Sequence, residues 1–199
     1  MCGNTRLVGA VAPSFTAKAV VGGHFKDVSL SDFKGKWKVV FFYPLDFTFV
    51  CPTEIIAFDV KLSAFHERNC EVIGISTDSH YSHLAWCKQE RAEGGIGLIN
   101  YPLLSDFNKT IARSYDVLME EEGVALRGLF ILDDKNIIQH ATINNLSVGR
   151  NIEETLRILD AFQFHAKHND VCPANWKMGE DAMKADVNAS KVWFKKHAH

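Results

Sequence analysis

A strand-like apolar run that ends in a proline-bracketed turn constrains this chain more than any other feature. Phe41-Phe42-Tyr43-Pro44-Leu45-Asp46-Phe47-Thr48-Phe49-Val50-Cys51-Pro52-Thr53-Glu54 reads as a buried strand, a turn at Pro44 and a helix starting at Pro52. Proline is favoured at the first helical position, where its missing N–H costs nothing. Cys51 therefore falls at or beside the helix N-cap. There the unpaired backbone N–H groups and the positive end of the helix dipole stabilise a thiolate. Free thiols titrate near ~8.5, and such positions lower that by one to several units. A second Val-Cys-Pro tripeptide, Val171-Cys172-Pro173, lies far downstream.

The pattern around this run alternates strand and helix. Residues 38–43 read as a strand and 52–68 as a helix, with Ile55, Phe58, Leu62 and Phe65 at helical spacing. Glu71–Thr77 is β-branched and apolar, hence a strand. His80–Glu90 is a helix capped by Asp78 or Ser79, and Gly94-Gly95-Ile96-Gly97 is a loop. Asn108–Tyr115 is a short helix. Gly128–Leu132 and Ile137–Ile143 are adjacent strands joined by a turn at 133–136. Asn151 to about His168 is the clearest helix. It opens on an Asn-x-x-Glu box and carries Ile152, Leu156, Leu159 and Phe162 on one face. The order predicts an α/β fold with a central sheet flanked by helices. Domain boundaries are expected at 1–168 for a globular unit and 169–199 for an arm, where the core pattern weakens.

A chain of 199 residues, 47% of them hydrophobic, can bury one substantial core. Net charge is −2 with both signs interspersed, and no basic stripe suits nucleic acid. No apolar run reaches membrane-spanning length. The segment Met1–Arg6 lacks the apolar core of a signal peptide. The expectation is a cytosolic protein. Its five cysteines would then stay thiols unless catalysis oxidises them.

The residues suggest thiol chemistry. Cys51 is the candidate nucleophile. Thr48, three residues earlier, brings a hydroxyl within reach of the thiolate or a substrate. Pro44 shapes and shields the approach. Arg127 supplies a permanent charge whose fork can hold a thiolate and an oxygen together, although spacing alone equally suits a surface ion pair. Glu54 can cap the helix start. Cys172, in the arm, can condense with a sulfenic acid formed on Cys51; intramolecular pairing stays open. Cys87 reads as packed and Cys70 as partly exposed, while Cys2 has no assigned part. His80-x-x-His83 and His165-x-x-His168 lack the cysteine or carboxylate partners of a metal site and read as surface histidines. No metal or cofactor is expected.

Pro44, Thr48 and Cys51 as Pro-x-x-x-Thr-x-x-Cys, Arg127-Gly128-Leu129-Phe130, Val148-Gly149-Arg150 and Val171-Cys172-Pro173-Ala174-Asn175-Trp176 occur here in one order. By these motifs the chain resembles the typical two-cysteine peroxiredoxins, the family of the peroxidase component of alkyl hydroperoxide reductase and of the thioredoxin-dependent peroxidases. The resemblance implies a thioredoxin-like fold and a thiol peroxidase acting on hydrogen peroxide and organic hydroperoxides. It makes Arg127 the active-site arginine, places Glu54 and Arg150 in its support, and pairs Cys51 with Cys172 of the partner subunit. It implies a homodimer as the minimum, with a ring of five dimers as the larger assembly, and recycling by thioredoxin or a thioredoxin-like reductant. Gly94–Gly97 and Trp193-Phe194 resemble two elements tied in the family to overoxidation, with Ile for Leu and Trp for Tyr; the tyrosine hydroxyl is lost. Arg150 keeps a second reading, at the start of the long helix or in a subunit contact. Two other functions fit parts of the sequence. One is a thiol–disulfide oxidoreductase, although Thr48-x-x-Cys51 replaces the usual Cys-x-x-Cys. The other is a redox-gated holdase chaperone in a ring.

Overall fold

The computed structural model describes residues 6–197. Cys2 and most of the Met1–Arg6 segment lie outside them. In chain order the elements are β1 (Thr16–Val21), β2 (His24–Ser29), β3 (Trp37–Phe42), α1 (Cys51–Val60), α2 (Leu62–Glu67), β4 (Cys70–Ser76), α3 (His80–Lys88), β5 (Leu103–Ser105), α4 (Thr110–Ser114), β6 (Leu118–Met119), β7 (Val124–Ala125), β8 (Arg127–Leu132), β9 (Ile138–Asn144), α5 (Ile152–His168) and α6 (Ser190–His197). They divide into two compact units, one up to Arg150 and one from Asn151 onward.

The first unit is built on a seven-stranded mixed sheet of order β2-β1-β5-β4-β3-β8-β9. The central strands β3, β4 and β5 run parallel. The flanking pairs β1–β5, β1–β2, β3–β8 and β8–β9 are antiparallel. Val39, Val40, Phe41 and Phe42 of β3 are fully buried, as a strand covered on both faces requires. On one face Phe41 stacks on Phe58 of α1, with ring centroids 4.5 Å apart. On the other, Phe42 and Phe130 pack with Tyr115, Ile111 and Ala112 at α4. The arrangement is the expected α/β sheet flanked by helices.

Lys38 is the exception in β3: its side chain is buried. Its ammonium is satisfied by the Asp133 carbonyl at 3.0 Å and by Asn136 Oδ1 at 2.5 Å, both in the β8–β9 turn. Burial holds its pKa below the ordinary lysine value against the pull of Asp133 and Asp134.

Three details differ from the sequence reading. The helix expected over 52–68 begins one residue earlier, at Cys51, and breaks at Lys61, whose φ of −96° and ψ of 6° separate α1 from α2. Two strands of the β1–β2 hairpin precede the first predicted strand. β5 and the β6–β7 hairpin are additional too, with only two or three residues per strand. The α3 cap resolves to Ser79, whose hydroxyl accepts the Ser82 N–H.

The second unit holds α5, the segment after it and α6. Asn151 Oδ1 accepts the Glu154 N–H at the start of α5, and Asn169, at φ 58°, ends it. Val171 and Met183 exchange two backbone hydrogen bonds of 2.8 and 2.9 Å.

Candidate active site

Cys51 is the first residue of α1, with Val50 at the cap and Pro52 next. Its side chain has no exposed surface. Val50 takes the Thr53 and Glu54 N–H groups on its carbonyl, which closes the first turn behind the sulfur. β8 brings up the cation. Arg127 Nη1 lies 3.4 Å from Cys51 Sγ and donates to Glu54 Oε2 at 2.6 Å, while its Nε donates to the Leu146 carbonyl at 2.7 Å. Arg127 is 3% exposed, so the surface ion-pair reading is ruled out. The guanidinium therefore sets a permanent positive charge against the sulfur.

Glu54 is the hinge of the charge network. Its carboxylate takes Arg127 on Oε2 and a bidentate fork from Arg150: Nε to Oε1 at 2.7 Å and Nη2 to Oε2 at 3.0 Å. The Arg150 backbone N–H adds a bond to Oε1 at 2.8 Å. Glu54 therefore does more than cap the helix. Arg150 also donates to the Gly128 carbonyl at 2.6 Å, and its guanidinium lies 5.2 Å from the Phe41 ring centroid. Buried among these partners, Arg150 belongs to the site rather than to an exposed contact. Burial holds its pKa below the usual arginine value, against the charge and hydrogen bonds of Glu54. Gly149 lets this strap lie close: a Cβ there would sit 3.2 Å from Val50 Cγ1 and 3.6 Å from Glu54 Cγ.

The segment between β3 and α1 carries the remaining predicted residues. Pro44 is buried. Thr48 is only partly buried, and its hydroxyl donates to the Leu45 carbonyl at 2.9 Å. That leaves its oxygen lone pairs as acceptors. The donation to a thiolate that spacing allows is replaced here by a bond within the loop.

A network that sequence reasoning misses holds this loop from below. Asp46 is buried, accepting Tyr43 Oη on Oδ1 at 2.9 Å and pairing with His83 Nδ1 through Oδ2 at 2.8 Å. His83 Nε2 lies 3.1 Å from the Leu104 carbonyl. Oxygens that can accept face both ring nitrogens, an environment that favours the doubly protonated ring. Burial works against that charge. The hydrogen bond and charge of Asp46, with the Leu104 carbonyl and Asp78, outweigh it and raise the His83 pKa above its ordinary value. The Asp46 N–H donates in turn to Asp78 Oδ2 at 2.9 Å. The surface reading of the His80-x-x-His83 pair is thus wrong for His83. The single Asp within the apolar run, five residues before Cys51, is the available signal.

Cys70 and Cys87 sit where burial disfavours the thiolate. Cys70 is 1% exposed, contrary to the partly exposed expectation, and burial raises its pKa far above the ordinary value. Burial and the charge of Asp46 push Cys87 up to about 11. No cluster of three or more histidines, cysteines or carboxylates placed to hold a metal occurs among the described residues. None of their helices is long and apolar enough to cross a membrane.

In the second unit Cys172 is half-buried, its Sγ 3.5 Å from the Ala161 carbonyl of α5. Trp193 has no tyrosine hydroxyl to offer but keeps a donor: its indole N–H reaches the Asp181 carbonyl at 3.2 Å.

The chain is similar to known proteins. The AhpC/TSA family profile matches residues 8–141, and the profile of the C-terminal domain of 1-Cys peroxiredoxin matches residues 161–196. Peroxiredoxin-2 of Bos taurus is 54% identical over 190 residues, covering 96% of each chain. Thioredoxin peroxidase of Echinococcus granulosus is 57% identical over 185 residues, covering 93% of this chain and 96% of the relative. The solved reduced 2-Cys peroxiredoxin of Plasmodium vivax superposes with a TM-score of 0.93 at 49% identity, over 96% of this chain and 99% of that one.

Proposed function

The chain belongs to the AhpC/TSA family and is a thiol peroxidase, and on that premise we propose a role for each residue of its site. The Cys51 thiolate attacks one oxygen of the peroxide. The O–O bond breaks, the leaving oxygen departs as hydroxide or alkoxide and takes a proton from solvent to become water or alcohol, and Cys51 becomes a sulfenic acid. Arg127 stabilises the thiolate and the charge that develops on the leaving oxygen. Glu54 and Arg150 fix Arg127 in that position. Thr48 offers its oxygen as acceptor to the peroxide hydrogen, and Pro44 closes the pocket. The observation that carries this reading is the buried Cys51 sulfur at a helix start, 3.4 Å from a guanidinium itself locked on Glu54.

Resolution follows on Cys172. The sulfenic hydroxyl and the Cys172 thiol proton leave as water while an S–S bond forms. Cys51 has no exposed surface, so the first turn of α1 must open before any second sulfur can reach it. In this reading residues 1–168 form the peroxidase domain and 169–199 the arm that carries Cys172 to a partner subunit. The protein is a homodimer at least, able to form a ring of five dimers. A thioredoxin or thioredoxin-like dithiol reduces the disulfide, in keeping with the name of the Echinococcus granulosus relative. The setting is cytosolic and needs no cofactor. The relatives are named for peroxide reduction rather than for holding unfolded chains, so the holdase alternative is set aside.

Peroxide consumption with a dithiol reductant tests the scheme. Cys51→Ser should abolish turnover with the fold intact. Cys172→Ser should consume one equivalent and stop. Turnover by Cys51→Ser at the wild-type rate would overturn the proposal.

A further inference from the structure

The segment that carries Cys172 is strung along one face of α5 by three successive attachments. His165 Nδ1 lies 2.8 Å from the Asp170 carbonyl and donates to it. Cys172 Sγ lies 3.5 Å from the Ala161 carbonyl. Arg157 Nη1 donates to the Trp176 carbonyl at 2.7 Å. The three helix positions are four residues apart, so they stack on one side of α5. The segment runs antiparallel to them and places the cysteine at the middle rung. Arg157 is braced by a bidentate pair with Glu154, at 2.6 and 2.7 Å. Phe164 packs on Trp176 with ring centroids 4.9 Å apart. Asp170 is tied to Lys184 at 2.6 Å.

We infer that Arg157 and His165 are positioning residues that hold Cys172 docked and unreactive on α5, so that leaving this track is a step of disulfide formation. The rung at Ala161 is a thiol donating to a carbonyl, a bond that exists only while the sulfur keeps its proton. The groups facing Cys172 act in the same sense on balance. Burial raises its pKa, Asp170 adds to the rise, and Arg157 opposes it. Attack on the Cys51 sulfenic acid needs the thiolate. A docked Cys172 therefore waits, and the sulfenic acid stays open to a second peroxide for longer.

This inference rests on the proposed role of Cys172 as the resolving thiol, but it can be read without peroxide. The reduced full-length chain is alkylated with iodoacetamide across a pH series, and Cys172 modification is followed by peptide mass spectrometry. Arg157→Gln and His165→Phe each remove an outer rung. Both should speed Cys172 alkylation several-fold and move its pH midpoint down, because release restores water to the sulfur. The sign is decisive for Arg157. Were it an activating charge instead of a clamp, Arg157→Gln would slow alkylation and move the midpoint up, and His165→Phe would change nothing; that pattern overturns the inference. Circular dichroism at each pH confirms that α5 persists. After one equivalent of peroxide, both variants should form the Cys51–Cys172 disulfide faster, and under excess peroxide they should collect less sulfinate. Wild-type protein that forms no such disulfide would refute the resolving role, while the alkylation series would still decide whether the track exists.

Discussion

At the residue scale, Glu54 is the side chain on which the site depends. It is buried with two guanidiniums on one carboxylate, an arrangement that tolerates no loss of charge. Glu54→Gln leaves Arg127 and Arg150 buried with a single neutral acceptor between them. Breaking a buried ion pair costs about 3–5 kcal/mol. We expect a stability loss of that order by urea denaturation, and a fall in the second-order peroxide rate by stopped flow, since Arg127 is no longer aimed at the sulfur. Thr48 gives a finer test. Thr48→Val removes both the acceptor and the bond to the Leu45 carbonyl, so the rate should drop about tenfold, while Thr48→Ser should stay near wild type. Equal rates for the two variants would show that the hydroxyl is unused.

His83 gives a pH prediction whose sign is fixed. Its folded pKa lies above the ordinary value. The stability it contributes is full below the unfolded histidine value near ~6.5 and is lost as pH rises through the raised folded value. Urea midpoints should therefore fall over that window in wild type. In a His83→Phe variant, lower at acid pH, this fall should be absent. A wild-type profile flat across the window would contradict a raised His83 pKa.

At the element scale, α1 has two ends with opposite tasks. In the proposed cycle its first turn opens to release Cys51, while its last turn is anchored. Asp59 accepts Asn100 N and Nδ2 on Oδ1, at 2.9 and 3.0 Å, and Arg91 Nη2 on Oδ2 at 3.1 Å. Arg91 Nε then holds the Ile96 carbonyl at 2.9 Å, which ties the Gly94–Gly97 loop to the helix. The loop fits only without a side chain at Gly95, where a Cβ would lie 2.1 Å from the Gln89 carbonyl oxygen. Asp59→Ala should free the loop, ease the opening of α1 and lower the sulfinate formed per turnover, as read by intact mass after graded peroxide with reductant recycling. Unchanged sulfinate would show that this anchor does not govern the opening.

At the scale of the whole molecule, the sequence is most legible where the signal is local. The strand–turn–helix run around Cys51 and the Asn151 cap can be read directly, because periodicity and capping act over a few residues. The β1–β2 hairpin cannot. It lies at one side of the sheet, β2 is mostly exposed, and β1 offers only the short apolar run Ala19-Val20-Val21. His83 escapes a sequence reading for a different reason. Its burial depends on Asp46, a residue of the segment between β3 and α1, and helical spacing alone does not say which face of α3 turns inward. The same holds for Arg150, whose place on Glu54 depends on how β8, β9 and α1 meet. Assembly is the remaining prediction at this scale. Oxidised protein should run on non-reducing gels at twice the 22.4 kDa chain mass, and Cys172→Ser should abolish that band. A covalent dimer persisting in that variant would pass the resolving role to another cysteine.

The central claim is that Cys51, and no other thiol, meets the peroxide. The direct measurement is to mix reduced Cys172→Ser protein with one equivalent of hydrogen peroxide, trap sulfenic acid with dimedone and map the adduct by peptide mass spectrometry. The account predicts a single adduct on the peptide that contains Cys51. An adduct on Cys70 or Cys87 with Cys51 unmodified would contradict it.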